Sequence, residues 1–118
     1  MKADLARTKA MFARMVSDGF DVSLPLKWGY FFFHHSPEPL EALSEEMREF
    51  GYSGVSLHQT DDGQWVLQLA KTEIHTPETL HRRNIKFDEL AAVRGISLYD
   101  GWDVSVPGVG DKEPPPDA

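Results

Sequence analysis

Cysteine is absent from the 118 residues, which excludes disulfides, thiol chemistry and any thiolate metal site. No apolar run approaches the roughly 20 residues needed to cross a bilayer. The opening stretch MKADLARTKAMF is charged and interrupted, unlike the apolar segment of a secretory signal. Positive charge is scarce as well. Twelve Lys and Arg stand against 19 Asp and Glu, for a net charge of −7. Asp111, Glu113 and Asp117, offset by Lys112, carry −2 of this and leave −5 on the body. Nucleic-acid binding draws much of its affinity from neutralised phosphates, so an acidic body argues against direct RNA or DNA contact. It suits a soluble, cytoplasmic protein that meets a basic partner surface, because complementary charge speeds encounter and selects partners. Also missing are a Gly-rich phosphate loop, a serine in a nucleophile-elbow context and an internal repeat.

Aromatic residues, by contrast, are concentrated. KWGYFFFHHSPEP, residues 27–39, holds five aromatics and two adjacent histidines before a proline-punctuated turn. As a strand it is aromatic on both faces: Trp28, Tyr30, Phe32 and His34 alternate with Phe31, Phe33 and His35. One face belongs in a helix-backed core. The other is expected under the N-terminal helix or under a partner.

The remaining elements follow from periodicity. Residues 4–19 read as a helix with Leu5, Phe12, Met15 and Val16 on one stripe and Gly19 as its stop. Ser36 reads as an N-cap and Pro37 as a first helical residue. Leu40, Leu43, Met47 and Phe50 then repeat at helical spacing up to Gly51. Val55 and Leu57, the turn TDDGQ, and Trp65, Leu67 and Leu69 form a hairpin of strands 53–60 and 64–73. Thr76 and Pro77 open a third helix, about 77–94, whose stripe of Leu80, Phe87, Leu90, Ala91 and Val93 is interrupted by HRRNIK. GWDVSV alternates as a last strand. The order α-β-α-β-β-α-β contains βαββαβ, the ferredoxin-like α+β plan: a four-stranded antiparallel sheet, here with an extra N-terminal helix. Residues 1–107 are expected to form this single domain, and 108–118, rich in proline and acid, a disordered tail.

Few residues invite chemistry. His34, His35, His58, His75 and His81 offer imidazoles, but strand neighbours point to opposite faces and no ligand spacing appears, so no metal or cofactor is expected. Asp61 and Asp62 sit in turn composition, where aspartate serves the backbone. Arg82, Arg83 and Lys86 form one basic cluster, a candidate RNA contact if the sheet aromatics stack bases. GYFFF lacks the Lys/Arg-Gly opening of that RNA-recognition strand. In YDGWDVSV, Asp100–Gly101 read as a turn and Trp102 as a core anchor or an interface hot spot.

Taken in order, MVSDGFD, FFHHS, EFGY and YDGWDV, spread over roughly residues 5–106, resemble the RraB family, protein inhibitors of ribonuclease E. YDGW and the HH pair are the most specific pieces. The resemblance implies a small acidic ferredoxin-like protein of the bacterial cytoplasm that binds ribonuclease E, or a related RNA-processing enzyme, and modulates RNA decay without catalysis. It supplies no catalytic, cofactor or metal residue. Trp28, Tyr30, His34, His35, Tyr99, Asp100 and Trp102 are the candidate partner contacts. The alternatives are an RNA-binding module and a homodimer that buries the second aromatic face.

Overall fold

A computed structural model describes residues 4–107; the expected tail, 108–118, lies outside them. The elements are α1 (Leu5–Ser17), β1 (Leu26–His34), α2 (Glu38–Arg48), β2 (Ser53–Gln59), β3 (Trp65–Glu73), α3 (Pro77–Val93) and β4 (Leu98–Ser105). The strands form one sheet in the order β2-β3-β1-β4, with every neighbouring pair antiparallel. This is the ferredoxin-like α+β arrangement.

The alternation of β1 decides how the layers stack. Trp28, Tyr30 and Phe32 are at most 1% exposed, and their rings meet those of the helical layer. Phe87 of α3 is the hub, with ring centroids 5.0 Å from Tyr30, 5.3 Å from Phe32, 5.7 Å from Tyr52 and 5.5 Å from Tyr99. Edge-to-face pairs of this kind each add about 0.5–1.5 kcal/mol beyond the area they bury. Leu80, Asn84, Phe87 and Ala91 make the buried stripe of α3. The apparent break at HRRNIK therefore puts an amide, not a gap, into the core.

Helix α1 packs on this same side. Phe12 stacks on Trp28 with centroids 5.8 Å apart, so α1 extends the helical layer and does not cover the second face of β1. On that second face Phe31 and Phe33 remain partly exposed. They are not a continuous aromatic platform. A Cβ on Gly29 would press into the side chains of Asp103 and Gln68, which lie across it.

Local chemistry modified several boundaries. Asp4 caps α1 by accepting from the Arg7 amide at 3.2 Å, and Thr76 and Thr79 form a capping box on α3. Ser36 does not cap α2, whose N-cap is Pro37 without a side-chain bond. Three residues assigned to buried stripes are exposed: Val16 at 56%, Phe50 at 62% and Val93 at 73%. Phe50 lies beyond the end of α2, and Gly51 turns the chain with φ of 89°. In β2 a register shift between Gly54 and Ser56 moves Val55 out to 45% exposure.

Candidate partner-binding site

The histidine pair and the YDGW stretch are 64 or more residues apart in sequence, yet β1, which leads into the pair, lies beside β4, which holds YDGW. β1 and β4 run antiparallel, pairing Tyr30 with Trp102, Phe31 with Gly101 and Phe32 with Tyr99. The register skips Asp100, so that residue is the extra member of a β-bulge. Gly101 supplies the φ of 112° that the bulge requires and that a Cβ disfavours. Asp100–Gly101 therefore lie inside β4, where the sequence suggested a turn ahead of the strand. The bulge turns Asp100 to solvent.

Each candidate contact can now be placed. Trp28, Tyr30 and Tyr99 face the helical layer and are fully buried. His34 is buried too, its Nδ1 within 2.9 Å of the Ser97 hydroxyl. Burial, then the charge of adjacent His35, lowers its pKa and favours a neutral ring. His35 stands exposed beside it, ring centroids 4.1 Å apart. Trp102 is half-buried against Trp28 at 5.5 Å. With Asp100 it lines a cleft of about 400 Å³ against Arg7 and Met11 of α1. Of the seven candidates, His35 and Asp100 are exposed and Trp102 is partly so.

A second polar cluster escaped the sequence reading. Arg83 donates to both carboxylate oxygens of Glu73, at 2.7 and 3.1 Å, and to the Tyr52 hydroxyl. The Tyr30 hydroxyl donates to Glu73 at 3.2 Å and lies 3.0 Å from His75 Nε2. His75 Nδ1 contacts the Thr79 hydroxyl at 2.9 Å. Burial alone would raise the Glu73 pKa, but hydrogen bonds from His75 and Arg83 and the guanidinium charge outweigh it and bring it down to about 2. Burial raises the Tyr30 and Tyr99 hydroxyl pKa values well above the usual range, and that of Tyr52 to about 12. Every prominent group in this cluster is satisfied by another, the pattern of a clamp that fixes α3 on β1 and β3. Ten residues separate Glu73 from Arg83, a spacing that carries no periodic signal.

A family model described as regulator of ribonuclease activity B matches residues 5–104. The chain belongs to the RraB family. The match runs from the first residue of α1 to the penultimate residue of β4, and so takes in both the bulge and the clamp of this ribonuclease regulator. No curated protein matches the chain. In this RraB-family fold the basic cluster is divided. Arg83 is committed to Glu73, whereas Arg82 and Lys86 are exposed. Among the described residues no group of three His, Asp or Glu side chains is placed to hold a metal ion, and no helix is long and apolar enough to cross a membrane.

Proposed function

We propose that this RraB-family protein binds ribonuclease E, or a related RNA-processing endoribonuclease of the bacterial cytoplasm, and restrains it by protein–protein contact without a catalytic step. The family match over residues 5–104 carries the reading. The pairing of β1 with β4 supports it, because the strand that leads into His35 lies beside the one that carries Asp100 and Trp102, and the three offer a partner an imidazole, a carboxylate and an indole. A net charge of −7 favours a basic partner surface, where complementary charge chiefly raises the association rate.

Pull-down from bacterial lysate, with and without ribonuclease digestion of RNA, tests this directly. Recovery of the endoribonuclease after RNA removal supports it, and Asp100→Lys should weaken that recovery without lowering thermal stability. Partners that vanish with the RNA would refute it. The homodimer is the second reading, favoured by the partly exposed Phe31 and Phe33 and by Leu98 at 40% exposure. Sedimentation at micromolar concentration separates it: a monomer unaffected by Phe33→Glu removes it.

A further inference from the structure

Phe50 and Val93, two of the three exposed stripe residues, line a groove between α2 and α3. Its volume is about 570 Å³, and Met47, Phe87 and Leu90 are among its lining residues. That size lies within the roughly 300–1,000 Å³ of ligand-holding clefts. Exposed apolar side chains on α3 and in the turn after α2 flank this one, and such a groove can take an amphipathic helix.

The rim decides the sign of the occupant. Arg94 is neutralised by Glu46 at 2.9 and 2.5 Å, and Arg83 by Glu73. What remains is Lys71 and Lys86, with Arg82 in the adjoining hollow, against Glu89. The residual charge is +2 on a chain of −7. Lys71 is held in position, donating to the Phe50 carbonyl at 2.9 Å and lying over the Tyr52 ring at 5.0 Å.

We infer that the α2–α3 groove binds an acidic amphipathic segment of a protein partner, with apolar side chains against Phe50, Leu90 and Val93 and carboxylates toward Lys71, Lys86 and Arg82. The inference rests on the reading of this protein as a regulator acting through protein contact, and it adds a surface distinct from the candidates His35, Asp100 and Trp102. An acidic peptide suits the groove better than RNA, because Lys71, Lys86 and Arg82 can neutralise few phosphates. The chain's own end carries Asp111, Glu113 and Asp117 but only Val109 as an apolar anchor, too little for this floor.

The test is fluorescence anisotropy on the full chain. The probe is a labelled helical peptide with leucine at i, i+4 and i+7 and glutamate elsewhere; its lysine counterpart and an oligo(A) RNA are the controls. The glutamate peptide should bind, and Val93→Asp or Lys86→Glu should each weaken it by about tenfold or more. Both positions are exposed, so the variants should fold. Failure of the glutamate peptide to bind, equal binding of the lysine peptide, indifference to both variants, or displacement by oligo(A) at lower concentration would each overturn the inference. So would a gain of more than about tenfold on Asp111→Asn, Glu113→Gln and Asp117→Asn together, which would make the chain's own end the occupant. A chain that takes up the peptide yet leaves ribonuclease cleavage unchanged removes the ribonuclease reading and leaves the groove. A chain that slows cleavage yet ignores the peptide removes the groove alone.

Discussion

Glu73→Gln keeps the shape of the side chain and removes the charge that Arg83 is bound to. In the folded protein the carboxyl pKa falls from an ordinary 4.5 to about 2. At about 1.4 kcal/mol per pH unit, that difference is worth about 3 kcal/mol of stability. The pair is 16% and 23% exposed, so solvent screening trims the figure to about 2 kcal/mol. Against this, the variant leaves a half-buried guanidinium between Tyr30 and Tyr52 without its anion, and breaking one side of such a pair is itself costly. The expected loss at pH 7 is about 2–4 kcal/mol. Its pH dependence is the sharper test. The unfolded chain takes up this proton near pH 4.5 and the folded chain only near 2. The stabilisation is therefore complete above about pH 5, declines below it and is gone beneath about pH 2. Urea unfolding at pH 7, 5, 4 and 3 measures it, with Trp28 as reporter because its indole donates to the Glu73 carbonyl at 2.9 Å. The gap between wild type and Glu73→Gln should close as pH falls. A gap that stays constant from pH 7 to 3, or one below about 0.5 kcal/mol at pH 7, would refute the clamp.

Other perturbations read different parts of the structure. Phe87→Ala empties the centre of the aromatic cluster and should cost about 3–5 kcal/mol in chemical unfolding; a loss under about 1 kcal/mol would mean that the ring contacts are not formed. Gly101→Ala forces a Cβ into φ of 112° and should cost about 1–2 kcal/mol, visible as a lower Tm; an unchanged Tm would remove the bulge. The three tyrosines, at positions 30, 52 and 99, should stay protonated in the native state past the ordinary phenol range, Tyr52 ionising first at about 12. Their raised values mean stability is full below about pH 10 and declines above it, as the unfolded chain releases those protons. Absorbance at 295 nm follows this, and a phenol titrating reversibly near 10 in the folded protein would contradict it.

Much of this fold was written in short-range patterns. The two-residue alternation of β1 sorted Trp28, Tyr30 and Phe32 from Phe31 and Phe33, and Thr76–Pro77 marked the start of α3 correctly. What the patterns missed depends on three-dimensional context. Periodicity extended the α2 stripe through Phe50 because it registers hydrophobicity, not the chain reversal at Gly51. Asp-Gly is the same dipeptide in a turn and in a bulge, and only the pairing with Phe31 and Phe32 distinguishes them. Position α1 was open because its apolar stripe fits either side of the sheet until Phe12 meets Trp28. The candidate contacts were named from motifs that carry no orientation, and four of the seven are buried. Trp28, Tyr30 and Tyr99 belong to the core under the helices, and the Glu73–Arg83 clamp joins residues whose spacing announces nothing.

Regulation by protein contact can be read in a cleavage assay with purified components. Ribonuclease E, a labelled RNA substrate and increasing amounts of this protein are combined, with binding to the enzyme followed in parallel without RNA. Cleavage should slow and saturate as the enzyme is occupied, and Asp100→Lys should shift both curves to higher concentration together. Unchanged cleavage at saturating protein, or slowing that tracks binding of the protein to the RNA instead of to the enzyme, would contradict regulation by protein contact.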